Sequence, residues 1–428
     1  MNIVMMTNTY TPHVGGVARS VDAFSRAYRA RGHKVLVVAP EFPGIPDDET
    51  DVVRIPAIQN FNGSDFSVVL PVPGYLDDAL DDFRPDIVHS HHPFLMGATA
   101  IRVASHRDCP LVFTHHTMYE QYTHYVPGDS PALKRFVIKL STSYANLCDQ
   151  VFAPSESVAE TLHRRGVTTP VDVVPTGVVR EQFASGDGTG FRRQLGVPEG
   201  ARVIGHVGRL AAEKNLGFLA RAMAAVAAQQ PDVHCLVVGA GPAEPEIRGA
   251  FRAAGVGERL HLAGKRVMPE LADAYHAMDV FAFASLTETQ GMVLAEAMAA
   301  GLPVVALDAP GAREVVRDGE NGRLLREQDE AAFAAALTEL LALDGEARER
   351  YRAAIADTAA AYDLEACADQ ALAVYQRLDA SGPEPGPERD AWHASLRLVR
   401  AEWELLKGMA QAAGAAFSRP ERDRRAPR

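Results

Sequence analysis

The chain has 428 residues, 47% of them hydrophobic and 23% charged, and a formal net charge of −12. That length accommodates two domains with a core each, and the acidic balance argues against nucleic acid as the main partner, since phosphate backbones need a basic face. Cys109, Cys148, Cys235 and Cys367 are scattered with no C-x-x-C pair, which fits a reducing cytoplasm and offers no zinc-site spacing.

The opening MNIVMMTNTYTP has no charged leader region. No stretch approaches the roughly 20 apolar residues of a membrane span. The expected location is cytoplasmic, with any membrane contact peripheral at the inner face. Short β-branched runs then alternate with helical patterns. Strands are expected at Asn2–Met6, Lys34–Ala39, Ile87–Ser90, Leu111–Thr114, Gln150–Ala153 and Val171–Val174. A second series is expected at Val203–Val207, Cys235–Val238, Leu260–Leu262, Val280–Ala284 and Pro303–Ala306. Helical spacing marks Ala18–Arg31, Leu216–Gln229 and Ala361–Leu378. Apolar strands separated by helices predict parallel sheets covered on both faces. Two series in tandem predict an α/β chain of two doubly wound, Rossmann-like domains facing a central cleft. The first spans residues 1–178 and is completed by the helix at 361–378; the second spans residues 179–360. Residues 381–428 read as a Pro/Gly linker, an appended amphipathic helix and a basic tail.

The first strand runs into TNTYTPHVGGVARS, where Gly15 and Gly16 would let backbone N–H groups at a helix start approach an anion. A dinucleotide fingerprint needs three glycines, and only an adjacent pair is present; a plain tight turn is the alternative. Further on, GRLAAEKN places Arg209 and Lys214 near a helix start, where cations oppose the helix dipole. An anionic ligand, a diphosphate foremost, would resolve that conflict; two solvated surface charges are the alternative. LVVGAGP follows another strand, and the bare backbone at Gly239 suits a ring or a phosphate, or simply a turn.

In TETQGMVLAEAMAAGLPVVA, the backbone N–H groups of Gly291, Met292 and Val293 would be free at a helix start. Glu288 stands in the loop before them, and Glu296 lies about 7–8 Å further along the axis. Each carboxylate can accept hydrogen bonds from vicinal hydroxyls. A sugar, a diphosphate and a ribose in series match those three points. The alternative makes Glu296 a buried partner for a local arginine or backbone group.

Taken together, these motifs resemble the retaining glycosyltransferases of the GT-B fold, sequence family 4. The last run matches the family's E-x(7)-E signature, GRLAAEKN its R-x(4)-K element, and NTYTPHVGGVARS its N-terminal glycine loop. With VVPTGV and LVVGAGP, the resemblance covers the chain to about residue 378. It implies that Arg209 and Lys214 hold the donor diphosphate and stabilise the leaving nucleoside diphosphate. It assigns Glu296 to the ribose, Glu288 to the transferred sugar, and Gly16 with the Gly291–Val293 amides to the phosphates. No metal or other cofactor is expected, because cations and helix dipoles neutralise the diphosphate. FTHHTMY matches the family's T-x-H-T pattern, which places His116 against the donor sugar, with His115 the alternative one register away. The histidines at 89, 91, 92, 115, 116 and 124 otherwise read as half-buried interface residues, or as metal ligands without evident carboxylate or Cys partners. With no nucleophile evident opposite the donor, front-face displacement is expected.

The stretch from THHTMYEQYTHY through CDQVFAPSESV resembles glycosyltransferases that glucosylate diacylglycerol. UDP-glucose is therefore the favoured donor and 1,2-diacylglycerol the favoured acceptor, with His115, Tyr119 and Tyr122 as candidate acceptor residues. Transfer of mannose or another hexose to a different lipid or a saccharide is the near alternative. PALKRFVIKLSTSYANL reads as a lipid-facing or a core-facing helix, while Asp77, Asp78, Asp81 and Asp82 weigh against attraction to anionic lipid. In the appended helix, Leu396, Val399, Trp403, Leu406, Ala410, Ala413 and Phe417 form one stripe. Docking back on the protein is its first reading, a membrane surface its second and chain pairing its third. An NAD-dependent oxidoreductase is the distant alternative: Glu41 suits a ribose, but the third glycine is missing. A non-catalytic nucleotide-sugar binder is a third class.

Overall fold

The computed structural model describes residues 1–13, 15–46, 48–58, 68–69, 76–121, 130–381 and 403–412. They divide into two compact units, Met1–Val174 with Gln370–Arg428, and Pro175–Asp369. The divisions therefore fall at Val174 and Asp369 rather than at the expected 178 and 360.

In the first unit, strands β1 (Asn2–Met6), β2 (Lys34–Pro40), β3 (Val52–Ile55), β6 (Ile87–Ser90), β7 (Leu111–Thr114), β8 (Gln150–Ala153) and β9 (Val171–Val173) form one parallel sheet. Its order is β3-β2-β1-β6-β7-β8-β9, and β4 (Ala57–Ile58) and β5 (Val68–Val69) make a separate hairpin. Runs such as NIVMM and LVFT are almost wholly apolar, with a polar residue only at one end, because both faces of a parallel sheet are covered. The helices are α1 (Gly16–Ala30), α2 (Asp77–Phe83), α3 (Met96–Arg107), α4 (Pro131–Ala145) and α5 (Glu156–Arg164). Ser130 and Ser155 cap α4 and α5 through Leu133 N–H and Val158 N–H, whereas α1 starts at Gly15 with no side-chain cap. The chain winds outward from β1 to β3 and then returns to β6 on the other side of β1. The loops after β1 and β6 therefore diverge, leaving a crevice at the strand ends.

The second unit repeats this logic. Strands β10 (Arg202–Val207), β11 (Val233–Val238), β12 (Leu260–Gly264), β13 (Val280–Phe283), β14 (Val304–Leu307) and β15 (Gly322–Leu325) form a parallel sheet in the order β12-β11-β10-β13-β14-β15. Its helices are α6 (Arg180–Phe183), α7 (Gly188–Gln194), α8 (Leu216–Gln229), α9 (Glu244–Ala253), α10 (Glu270–His276), α11 (Met292–Ala299), α12 (Glu330–Leu341) and α13 (Gly345–Ala361). Here the order reverses between β10 and β13, so the loops carrying Arg209 and Glu288 leave neighbouring strands.

After α13, α14 (Leu364–Ser381) starts in the second unit and ends in the first. Its start is fixed by Val178, which donates to Tyr362 O and accepts from Leu364 N–H. Gly177 is a glycine by necessity: a Cβ there would lie 2.3 Å from Leu364 Cα.

Residues 403–412 form a last helix, α15, which docks on the first unit. The face it buries is not the expected stripe. Leu405 packs against the core, Ala412 is fully buried, and Gly408 lies against Ser143 of α4. Trp403, Leu406 and Met409 are exposed, and so is Ala410. Small residues four apart let the helix axis approach α4 closely, and the large side chains turn outward. Leu396, Val399, Ala413 and Phe417 lie outside the described residues, as do Tyr122 and His124. No helix among the described residues is long and apolar enough to cross a membrane.

Candidate active site

At the switch point of the second unit, the loop after β10 carries Arg209 and a short 3-10 turn, Ala212–Lys214. Asn215, in the left-handed conformation (φ 55°), heads α8 and donates from its amide to Ala284 O at 3.3 Å. This ties the β10 loop to the β13 loop. Lys214 and Glu288, both largely buried, form an ion pair across the two loops. Arg209 is half-exposed and pairs with the shielded Glu213. Each expected phosphate-binding cation thus has a carboxylate partner. Glu213 was not singled out from the sequence, because an Arg–Glu pair four apart reads as ordinary surface decoration.

Gly291 (φ 66°) heads α11, and a Cβ on it would lie 2.8 Å from Gly311 O. Only glycine satisfies both demands. Leu294 N–H bonds Gly291 O at 2.8 Å, and the N–H groups of Gly291, Met292 and Val293 stand at the helix head with no side-chain cap. The buried Gln290 amide locks this loop to VVPTGV: Oε1 accepts from Thr176 N–H at 2.6 Å and Nε2 donates to Thr176 O at 2.5 Å.

Glu296 is 2% exposed, and its Oε2 accepts from the Tyr275 hydroxyl at 2.7 Å. One carboxylate oxygen is thus held by a tyrosine of α10, a partner that the local run does not reveal. Gly239 needs a qualification. A Cβ on it would meet Gly208 O at 1.8 Å, so the space its bare backbone leaves is filled by the β10 loop. The glycine turn after β11 serves loop packing first.

His206, near the end of β10, was also missed. Its Nδ1–H donates to Ala282 O at 3.0 Å, and Nε2 is buried without a partner among the described residues, as is Ser285 Oγ. Burial lowers its pKa to about 4, against the opposing backbone hydrogen bond.

The first unit gathers its histidines at the ends of β6 and β7. The Asn8 side chain donates to Phe94 O and accepts from Met96 N–H, both at 3.1 Å, tying the β1 loop to the β6 loop. Asn8 N–H donates to His92 Nδ1 at 3.1 Å. His91 Nδ1 lies 2.9 Å from His116 Nε2, and His89 Nε2 lies 2.7 Å from Thr114 Oγ1. Burial is the main cause that lowers the pKa of His89 and His92 to about 3, of His115 to about 4, and of His91 and His116 well below the ordinary value. All five are neutral at physiological pH. His115 has both ring nitrogens buried without a partner among the described residues, and so has the Tyr119 hydroxyl. His115 and Tyr119 meet edge to face at 6.1 Å. Gly15 and Gly16 stand at the head of α1; nothing lies within 4 Å of a Cβ built on Gly16. Among the described residues, no group of three or more His, Cys, Asp or Glu side chains is arranged to hold a metal.

Two family models match the chain: "Glycosyltransferase Family 4" over residues 14–182 and "Glycosyl transferases group 1" over residues 201–343. The alpha-monoglucosyldiacylglycerol synthase of Acholeplasma laidlawii is 28% identical over 344 residues, covering 77% of this chain and 86% of the relative. The phosphatidyl-myo-inositol mannosyltransferase of Mycobacterium leprae is 32% identical over 379 residues, covering 86% of this chain and 94% of the relative. Among solved structures, Anabaena HepE in complex with UDP superposes with a TM-score of 0.68 at 21% identity, covering 88% of this chain and 100% of that one.

Proposed function

We propose, for a chain that belongs to glycosyltransferase family 4 and has the GT-B fold, that it moves a hexose from a nucleoside diphosphate sugar to a lipid hydroxyl, with retention. Glucose from UDP-glucose is the favoured sugar and 1,2-diacylglycerol the favoured acceptor. The observation that carries the donor reading is the Lys214–Glu288 pair beside the uncapped head of α11. The helix head supplies N–H groups to the diphosphate. As the donor enters, Glu288 exchanges the Lys214 ammonium for sugar hydroxyls, and Lys214 and Arg209 turn to the phosphates. Glu296, steadied by Tyr275, receives the ribose. The exposed Val267, in the turn between β12 and α10, offers an apolar seat for the base.

In the transfer step, the bond from the anomeric carbon to the phosphate oxygen breaks. The acceptor oxygen bonds to the same face, and its proton goes to the departing phosphate. Arg209, Lys214 and the α11 amides stabilise the charge that develops there. This chemistry calls on no metal, so activity should survive a chelator unchanged. Support for a lipid acceptor comes from the printed names of the relatives. The exposed Trp403, Leu406 and Met409 of α15, with Lys407 beside them, support peripheral contact with the inner face of the cell membrane.

The test is product analysis with UDP-glucose or GDP-mannose against diacylglycerol or phosphatidylinositol dispersions. A glucosyl-diacylglycerol with the anomeric configuration of the donor is expected. A mannosylated phosphatidylinositol, formed from GDP-mannose alone, would replace both substrates. An inverted product would overturn the mechanism.

A further inference from the structure

Arg54, on the edge strand β3, is largely shielded, and its guanidinium is used in three directions at once. Nε and Nη2 donate to the two carboxylate oxygens of Glu49, at 2.7 and 2.6 Å. Nη1 donates to Pro40 O, at the end of β2, at 3.0 Å. Nη2 also donates to Thr11 O, in the loop between β1 and α1, at 2.6 Å. The flat fork of an arginine suits this work, since it presents five N–H groups in a fixed plane. A shielded ion pair contributes little net stability, because desolvation offsets its attraction. The sheet does not need this side chain either, since β3 pairs with β2 through its backbone. What the pair fixes is the place of Thr11 O.

The rest of the loop is held from the same side. The guanidinium lies over the Tyr10 ring at 5.4 Å, and the Tyr10 hydroxyl donates to Asp22 of α1 at 3.3 Å. His13 N–H donates to Tyr10 O at 3.0 Å, and the His13 ring stacks on Phe42 with centroids 5.6 Å apart. That ring in turn borders Gly15: a Cβ there would lie 3.3 Å from His13 Nε2. Direct contacts thus lead from the Arg54 guanidinium through Thr11, Tyr10 and His13 to the head of α1, where Gly15 and Gly16 stand with no side-chain cap.

We propose that Arg54 is a positioning residue for the donor: held by Glu49, it presets the loop after β1 so that the Gly15 and Gly16 amides meet the donor diphosphate without first having to be ordered. This rests on the reading that the glycine loop serves that diphosphate.

Arg54→Met tests it, since the stem stays and only the guanidinium goes. The KM for UDP-glucose, or for GDP-mannose if that is the donor, should rise about tenfold, as expected for ordering one or two loop residues on binding. Turnover at saturation should stay within about twofold. In protein labelled with 15N-glycine, the Gly15 and Gly16 amide resonances should move while glycines of the second unit stay in place. Arg54→Met leaves the shielded Glu49 without its partner. Arg54→Met/Glu49→Met removes both charges together, so it should fold and show the same rise. Asn146→Ala removes the bonds that tie the end of α4 to Gly166 and Thr168. It should lower the urea midpoint and leave KM and resonances unchanged. Gly16→Val has open space for its side chain, so it should fold, and should raise KM by blocking the diphosphate. Unmoved Gly15 and Gly16 resonances, a parental KM in both Arg54 variants where Gly16→Val raises it, or an equal rise in Asn146→Ala would each overturn the proposal. A parental KM in Gly16→Val would instead overturn the reading on which it rests. The glycine spectra report on the loop whether or not the substrate is known.

Discussion

Glu288 and Glu296 sit eight positions apart in one short run, and their surroundings give them different work. Glu288 balances Lys214 across two loops, whereas Glu296 is sunk in the unit and held by Tyr275. Glu288→Gln removes the charge opposite Lys214 and the double acceptor for sugar hydroxyls, so transfer should slow by about 100-fold while UDP still binds. Glu296→Gln keeps an oxygen for the Tyr275 hydroxyl, so folding should hold, and UDP affinity should fall by about tenfold from one charge-assisted hydrogen bond. Titration calorimetry with UDP, run beside steady-state kinetics, separates the two effects; parental values for both would make the pair structural. The glutamates and cations were legible in the sequence because acids and bases at fixed spacing carry chemistry. Tyr275 and Gln290 were not, because their partners lie 21 and 114 positions away and only folding brings them together.

Among the elements, the central strands were legible because a parallel strand buried on both faces is an unbroken apolar run. β3 and β15 were not. Each is one edge of its sheet, only partly covered, and VVRI and GRLL mix charge with apolar residues accordingly; the opposite edges, β9 and β12, keep enough β-branched or apolar residues to be read. VVPTGV was legible as a joint, but what it joins was not. It is a clamp: Thr176 is bound at both backbone groups by Gln290, and Gly177 lies against the start of α14. Gln290→Ala would remove the side-chain partner that binds the buried N–H and C=O of Thr176, a loss of about 2 kcal/mol. Gly177→Ala would force a Cβ into Leu364 backbone, where overpacking costs about 3 kcal/mol. Both should lower the urea midpoint of the second unit, followed by hydrogen exchange in α11 and α14. Exchange there as slow as in the parent would show that the clamp contributes nothing.

For the whole molecule, the asymmetry that matters is in buried histidines. The first unit holds His89, His91, His92 and His115 buried and neutral, with His116 shifted the same way, while the second buries His206 among the described residues and lowers the pKa of the part-buried His234 and His261. Each has a folded-state pKa below the ordinary value, so in acid the unfolded chain binds protons that the folded unit refuses. The stability this contributes is fully present above about pH 6.5 and is lost as pH falls, down to about 4 for His115 and about 3 for His89 and His92. Once the unfolded histidines are protonated, each histidine that stays neutral in the folded unit removes about 1.4 kcal/mol per pH unit. Carboxylates titrate lower in the unfolded chain, which leaves the interval from pH 6.5 to 5 to the histidines. Urea midpoints at pH 7.5, 6.5, 5.5 and 5.0, read by hydrogen exchange in each unit, should be level over the first step. Below pH 6.5 the midpoint of the first unit should drop more steeply than that of the second. Equal losses in the two units would mean that the first unit lets its histidines take up protons without unfolding.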